Sequence, residues 1–177
     1  MELIIRKVEV YKEVEKLTSQ IAAALQGQEG VDFDSLLATE YEGGILDTYW
    51  IETCSSIIRL LSPFLSTKTE QHKLQAYDSQ ELFSIKVDMP QRFNKLFVGS
   101  MHDDLKMILA QNVTAGWLAN RNTELAERFA KNALSVLTDF KAKLFFRQEP
   151  VNDFLPKEDE NFKFKQYEKC CSRNNSQ

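Results

Sequence analysis

The sequence has few helix-breaking residues and lacks the motifs of common catalytic sites. Only 6 Gly and 4 Pro occur among its 177 residues, which favours long helices over many short strands and turns. Its 2 His are too few for a metal site that needs several imidazoles, and no two glycines have the spacing of a phosphate-binding loop. The residues alone therefore predict an architecture and not a reaction.

The cysteines are too few and too irregularly spaced for a disulfide framework. Cys54, Cys170 and Cys171 make an odd number, which argues against a stapled secreted domain. Met1-Glu2 is not followed by a basic region and then an apolar one, so no signal peptide is expected. The longest apolar run, Ile21–Leu25, is far short of a membrane span. We expect a soluble protein made in a reducing cytoplasm, with no membrane partner.

The charge balance shows no basic excess. The net charge is −4 at pH 7, whereas a surface that binds duplex nucleic acid usually appears as an excess of Lys and Arg. Sequence-specific nucleic-acid binding is therefore disfavoured. An apolar content of 43% with 27% charged residues excludes wholesale disorder, and the length suits one domain with an extension.

Apolar residues at helical spacing predict two consecutive helices over Arg92–Arg147, with a break near Asn120–Asn122. The first is predicted over about Arg92–Ala119. The stripe of the second consists of Leu125, Phe129, Ala133, Leu137, Phe140 and Leu144, widened by Ala126, Ala130, Val136 and Phe145. Asn122 is the predicted N-cap, since its side chain can accept a hydrogen bond from a backbone amide, and Pro150 would stop the helix. The short break predicts an antiparallel pair.

Two further helices are predicted upstream. One begins near residue 9 and ends near residue 26, while the first ten residues are either helical or extended, because Ile5–Val10 also partly alternates. The other covers about Ile45–Leu65 and is ended or kinked by Ser62-Pro63. It is apolar around more than half of its circumference, so it is either central or packs one side against another copy. Between them lies the connection Gly27–Gly44, in which Phe33, Leu36 and Leu37 predict a short turn of helix.

One segment has the alternation of a strand. Residues Leu82–Asp88 place Phe83, Ile85 and Val87 on one side, and Lys73–Tyr77 is the candidate hairpin partner. A two-stranded ribbon at about residues 73–88 is marginal by itself, so it must lie on the helices or pair with a neighbouring subunit. The fold class is therefore mainly α: an antiparallel bundle of three to four long helices with a small β-ribbon, over residues 1–150.

Residues 151–177 form a C-terminal arm in this prediction. Neither a helical nor a strand period persists there, which is typical of a disordered terminus. The segment is nevertheless rich in large apolar side chains for a disordered tail, which favours an arm that docks elsewhere. These residues are Phe154, Leu155, Phe162, Phe164 and Tyr167. Both interpretations stay open.

The few chemically suggestive residues have ordinary structural explanations. His102-Asp103-Asp104 lies on a predicted helix and suits a solvated polar face better than a metal site. Cys54 lies on an apolar stripe without a nearby histidine, which indicates a buried thiol and not a nucleophile. Trp50 and Trp117 are predicted core residues. We predict no catalytic residue, no cofactor and no metal, and an enzyme is the least favoured of three functions.

The order of segments resembles one class of phage protein. The chain is similar in layout to small helical structural proteins of tailed phages and prophages of Bacteroidales, in the head–tail connector or neck-adaptor class. The resemblance covers about residues 10–150. It is carried by Val10–Val14, Asp47–Cys54, Phe83–Pro90, Gly116–Asn120 and Phe145–Pro150.

The resemblance implies a ring, commonly of twelve copies, that docks on the portal protein in the neck of the virion. The partners would be the portal, other neck or tail proteins and further copies of the chain. A ring needs one surface that meets a different surface on the next copy. The candidate partner-binding residues are Phe83, Ile85, Val87, Phe154, Leu155, Phe162, Phe164 and Tyr167. The alternative function, which the same helices support, is a cytoplasmic protein-binding or regulatory module.

Overall fold

The computed structural model describes residues 1–25, 33–39, 43–65, 82–91 and 93–146. This part of the chain forms four long helices, one short helix and a two-stranded antiparallel ribbon. This confirms the mainly α prediction with a small ribbon. The predicted arm at 151–177 lies outside these residues. The elements are β1 (Glu2–Arg6), α1 (Lys7–Leu25), α2 (Phe33–Leu36), α3 (Gly43–Leu61), β2 (Leu82–Lys86), α4 (Phe97–Leu118) and α5 (Thr123–Lys143).

Helix α4 is the centre of the bundle. It packs against α1, α3, α5 and β1, and it is buried around most of its circumference. Its buried side chains include Met101, Leu105, Ile108, Leu109, Val113 and Trp117. The central position predicted as one alternative for the Ile45–Leu65 helix therefore belongs to α4. Helix α3 buries one side only and leaves Ile45, Ile51 and Leu60 between 40% and 48% exposed.

Helices α4 and α5 form the predicted antiparallel pair. Lys143, at the end of α5, binds Asp104 near the start of α4 with the two charged groups 2.5 Å apart. Asn122 is the N-cap of α5, as predicted: its backbone is extended, and its side chain accepts a hydrogen bond from the Leu125 amide at 3.0 Å.

The start of α4 differs from the prediction, because the helix begins at Phe97 and not at Arg92. Asn94 provides the reason. Its side-chain oxygen accepts a hydrogen bond from the Leu96 amide at 3.1 Å, which gives the backbone a local alternative to the helix. Phe93 still packs against the core, although it lies outside the helix.

The ribbon pairs the first strand of the chain with a strand near the middle of the described residues. Strand β2 pairs with β1 in antiparallel register, from Glu2 opposite Lys86 to Arg6 opposite Leu82. The extended alternative for the first residues is thus the right one. The candidate partner Lys73–Tyr77 lies outside the described residues.

Pro63 ends α3 as the sequence predicts. The helix stops at Leu61, and Ser62–Phe64 form a single 3-10 turn before the chain becomes extended at Leu65. Along α3, Tyr49 packs directly on the backbone of Gly116 in α4, where a Cβ atom would lie 2.6 Å from the Tyr49 Cδ1 atom. This close approach depends on the missing side chain of Gly116.

Short helix α2 is fastened to the bundle at two points. The indole N–H of Trp117 donates to the Leu36 carbonyl at 3.0 Å, and the Ala38 amide donates to the Thr18 hydroxyl at 3.3 Å. Leu36 and Ala38 are both buried. The described part of the connection, residues 33–39, is therefore packed against α1 and α4.

Candidate functional site

One end of the bundle carries a group of partly exposed apolar side chains, mostly aromatic. We call it the end cluster; it comprises Phe64, Leu96, Phe97, Phe145 and Phe146. The rings of Phe64 and Phe145 meet edge to face with their centroids 5.7 Å apart, and those of Phe97 and Phe146 are 4.9 Å apart. Leu96 is 87% exposed, Phe145 62% and Phe146 47%. Large apolar side chains exposed together are typical of an interaction surface.

The turn after α5 holds these rings in place. Leu144 is buried and anchors the turn to the core. The Phe146 carbonyl accepts a hydrogen bond from the Asn94 amide at 3.1 Å, which ties the end of α5 to the start of α4. The prediction that Phe145 belongs to the buried stripe of α5 is wrong, because the helix ends at Lys143 and the chain turns before Phe145.

The three candidate partner-binding residues in and just after β2 face the core. Phe83, Ile85 and Val87 are 0%, 2% and 1% exposed, so a partner cannot reach their side chains in this fold. The ring of Phe83 packs edge to face against Trp50, with centroids 6.3 Å apart. Burial of that face is what secures the ribbon to the helices.

The opposite face of the ribbon is partly exposed. Ile4 is 49% exposed and Leu82 38%. They are diagonal neighbours on this face, because Ile4 lies opposite Ser84 in the register.

The edge of β2 is a separate feature. Among the described residues, Leu82–Lys86 have a strand neighbour along one edge only, namely β1. We call the edge of β2 that faces away from β1 the ribbon edge; just beyond its end, Val87 forms an isolated antiparallel bridge with Leu65. An unpaired strand edge offers backbone donors and acceptors to a partner strand.

The remaining candidate partner-binding residues lie outside the described residues. They are Phe154, Leu155, Phe162, Phe164 and Tyr167. Their role in docking stays a prediction.

A cluster of titratable side chains lies between α1 and α3. The Tyr11 hydroxyl donates to the Asp47 Oδ1 atom at 2.5 Å, and the Lys7 ammonium donates to the same oxygen at 3.0 Å. These groups border an open cleft of about 280 Å³ that is also lined by Val8, Ala38 and Leu46. Sequence reasoning missed this cluster, because Asp47 lies 36 residues from Tyr11 and the three residues belong to no short motif.

The protonation states in the cleft are set by burial and by the shared hydrogen bonds. Burial and then the hydrogen bond to Asp47 raise the pKa of Tyr11 far above its usual range. Burial acts to raise the pKa of Asp47 too, but the hydrogen bonds from Tyr11 and Lys7 outweigh it and the pKa is lowered. Tyr11 is thus a proton donor at neutral pH and not a nucleophile. The contact links α1 to α3.

Two other titratable residues singled out in the sequence, Cys54 and His102, make contacts of a structural kind. Burial raises the pKa of the Cys54 thiol to about 12, so it stays protonated at neutral pH, as expected for a core residue. The Nε2 atom of His102 lies 3.0 Å from the Ile4 carbonyl. Since a carbonyl only accepts, Nε2 carries the proton in this contact. Within the described ranges, no three His, Cys, Asp or Glu side chains converge as metal ligands would.

A second apolar surface runs along the side of the bundle, between α3 and α5. We call it the side groove. It has a volume of about 230 Å³ and is lined by Ile57, Leu60, Ile108, Ala130, Leu134 and Leu137, among others. Leu134 is 61% exposed and Leu60 45%. Ala130 is exposed as well, although its position in the sequence predicted that it would widen the buried stripe of α5.

Some of the exposed apolar residues carried a sequence signal. Phe145 and Phe146 are adjacent, and two successive residues of a helix do not share a face. Either one of the two rings lies off the buried face, or the helix ends before them. Leu134 follows Ala133, a member of the buried stripe, so the same reasoning places it off the core face.

Comparisons of the chain with protein-family models, with curated proteins and with solved structures find no match. No helix in the described ranges combines the length and the hydropathy that a membrane crossing requires.

Proposed function

We propose that this protein is a non-enzymatic structural component of a phage particle, a head–tail connector or neck adaptor. In this proposal it docks on the portal protein and links it to the tail while DNA passes. The end cluster is the observation that carries the proposal. An adaptor needs a fixed apolar surface for its partner, and the rings of Phe145 and Phe146 give the bundle one.

A ring requires two different surfaces on each copy, and the described residues offer them at different places. The end cluster is apolar, whereas the ribbon edge belongs to a strand whose one strand neighbour among the described residues is β1. Two unlike surfaces are what a head-to-tail contact between successive copies needs. The net charge of −4 suits a wall past which DNA moves without being bound.

The arm at 151–177 is the second element of the proposal. Phe154, Leu155, Phe162, Phe164 and Tyr167 would contact the portal, and their large apolar side chains would be covered on assembly.

Co-purification with the portal protein encoded in the same genome tests the proposal. Size-exclusion chromatography with light scattering should show that the two proteins elute together, with a mass that corresponds to a ring. The Phe145→Ser/Phe146→Ser variant should lose the complex. Val8→Ser is the matched control, since Val8 is 56% exposed but lies outside the end cluster. A chain that stays monomeric and ignores the portal would overturn the proposal.

The alternative, a cytoplasmic protein-binding or regulatory module, would also use the end cluster. It predicts a complex of fixed small stoichiometry with the product of a neighbouring regulatory gene, and no ring. Mass spectrometry of purified particles separates the two functions, because only the connector is a constant component of the virion.

A further inference from the structure

Helix α5 carries a second stripe of side chains beside its buried face. Glu127, Ala130, Leu134, Thr138 and Lys141 follow one another at steps of three or four and therefore line one side of the helix. Leu134 lies at the middle of this stripe and is a large apolar side chain that is 61% exposed. Ala130 and Leu134 also form one wall of the side groove.

The stripe is self-complementary when it is read in the opposite direction. Around Leu134, Glu127 lies seven residues before and Lys141 seven residues after, while Ala130 and Thr138 lie four residues before and after. In an antiparallel pair of identical helices centred on Leu134, each Glu127 therefore faces a Lys141. The dimer would then contain two Glu127–Lys141 ion pairs, one on each side of the two-fold axis.

Among the described residues, Glu127 and Thr138 of this stripe bond only within α5. Glu127 pairs with Lys131 within its own helix at 3.6 Å, but both side chains are largely exposed, so the pair is readily exchanged. The Thr138 hydroxyl already donates to the Leu134 carbonyl at 2.9 Å. Its methyl group is thus left to contact Ala130 of the other helix.

We propose that two copies of this chain associate through α5, antiparallel and about a two-fold axis at Leu134, with each Leu134 entering the side groove of the other copy. The stripe spans roughly 21 Å at about 1.5 Å per residue. That length gives an interface at the small end of the range for stable complexes, so we expect a concentration-dependent dimer.

This contact goes beyond the proposed function and does not depend on it. It is isologous, because the same surface is used on both copies, and it therefore closes on itself. It leaves the end cluster uncovered. A pair formed through α5 is compatible with docking on a larger partner through the end cluster, and the two associations are separable by substitution.

Charge exchange on α5 tests the pairing. The full chain is studied by sedimentation velocity over a range of concentrations, with a reducing agent present so that its 3 cysteines do not form links between chains. Glu127→Lys and Lys141→Glu each place like charges opposite one another, and each should weaken dimerisation about tenfold or more. The double variant Glu127→Lys/Lys141→Glu should restore it to within about threefold of the wild type.

Asp139→Lys is the matched control for these variants. It changes the charge by the same amount as Glu127→Lys, and Asp139 is exposed on another side of α5, away from the stripe. It should leave dimerisation unchanged, whereas Leu134→Ser should weaken it. A wild-type chain that is monomeric at every concentration overturns the proposal. A dimer that is unchanged in both Glu127→Lys and Lys141→Glu overturns it too. A dimer that is lost in Phe145→Ser/Phe146→Ser also overturns it, because the contact would then involve the end cluster.

Discussion

Two glycines of α4 should respond in opposite ways to the same substitution. Gly116 is in contact with the ring of Tyr49 in α3, whereas a Cβ atom at Gly99 would meet nothing within 4 Å. Both lie in the same helix. We predict that Gly116→Ala destabilises the protein and that Gly99→Ala stabilises it.

The magnitudes follow from the contact and from helix propensity. At position 116 the new methyl group would lie 2.6 Å from Tyr49 Cδ1 and 3.0 Å from its Cγ, roughly 1 Å inside the optimal separation of carbon atoms. Relieving such overpacking costs about 1–3 kcal/mol, and replacing Gly by Ala in a helix returns about 0.5–1 kcal/mol. The net expectation is a loss of up to about 2.5 kcal/mol at Gly116 and a gain of up to about 1 kcal/mol at Gly99.

Urea unfolding followed by circular dichroism measures both changes. A domain of this size shifts its melting temperature by about 2–4 °C for each kcal/mol, so a thermal scan should separate the two variants by several degrees. The background Tyr49→Ala removes the ring, and in it Gly116→Ala should become neutral or favourable. The reasoning fails if Gly116→Ala is as stable as Gly99→Ala, or if the Tyr49 background leaves its effect unchanged.

Three further substitutions probe the fold. Asn122→Ala removes the N-cap of α5 and should cost about 1 kcal/mol in urea unfolding, most of which Asn122→Asp should restore. Trp117→Phe leaves the buried Leu36 carbonyl without its donor and should cost about 1–3 kcal/mol, so an unchanged urea midpoint would contradict that role. The lowered pKa of Asp47 contributes stability above its ordinary pKa, which is lost as the pH falls through the folded value. The urea midpoint should therefore fall less on acidification in Asp47→Asn than in the wild type. An equal pH dependence of the midpoint in the two proteins would contradict this role of Asp47.

The local features of the helices were predictable because they depend on neighbours along the chain. The stripe from Phe129 to Phe140 repeats with the helical period, and the structure buries both ends of it. Asn122 needs only the amide three residues later to act as a cap. Pro63 ends α3 through its own missing N–H and ring. None of these signals requires knowledge of the tertiary fold.

The features that the sequence did not predict correctly depend on distant segments. Strand β2 pairs with β1, some eighty residues away, and no local pattern favours Glu2–Arg6 over Lys73–Tyr77 as its partner. The Tyr11–Asp47 contact joins two helices in the same way. The sequence also left open whether the Ile45–Leu65 helix is central. The broad apolar face of α3 remains partly uncovered, whereas α4 packs against three other helices. Periodicity gives the width of an apolar face but not the number of elements available to cover it.

Which surfaces are available to partners depends on which face of the ribbon is buried against the helices. A two-stranded ribbon is stable only if one face is buried on other elements, so Phe83, Ile85 and Val87 are needed by the core. Side-chain alternation then puts Leu82 and Ser84 on the accessible face, while the backbone donors and acceptors of β2 point along its edges. The exposed aromatic rings of Phe145 and Phe146 lie instead where the helical period is interrupted, because both follow the last turn of α5. The termination of a helix thus determines where this fold presents aromatic side chains to a partner.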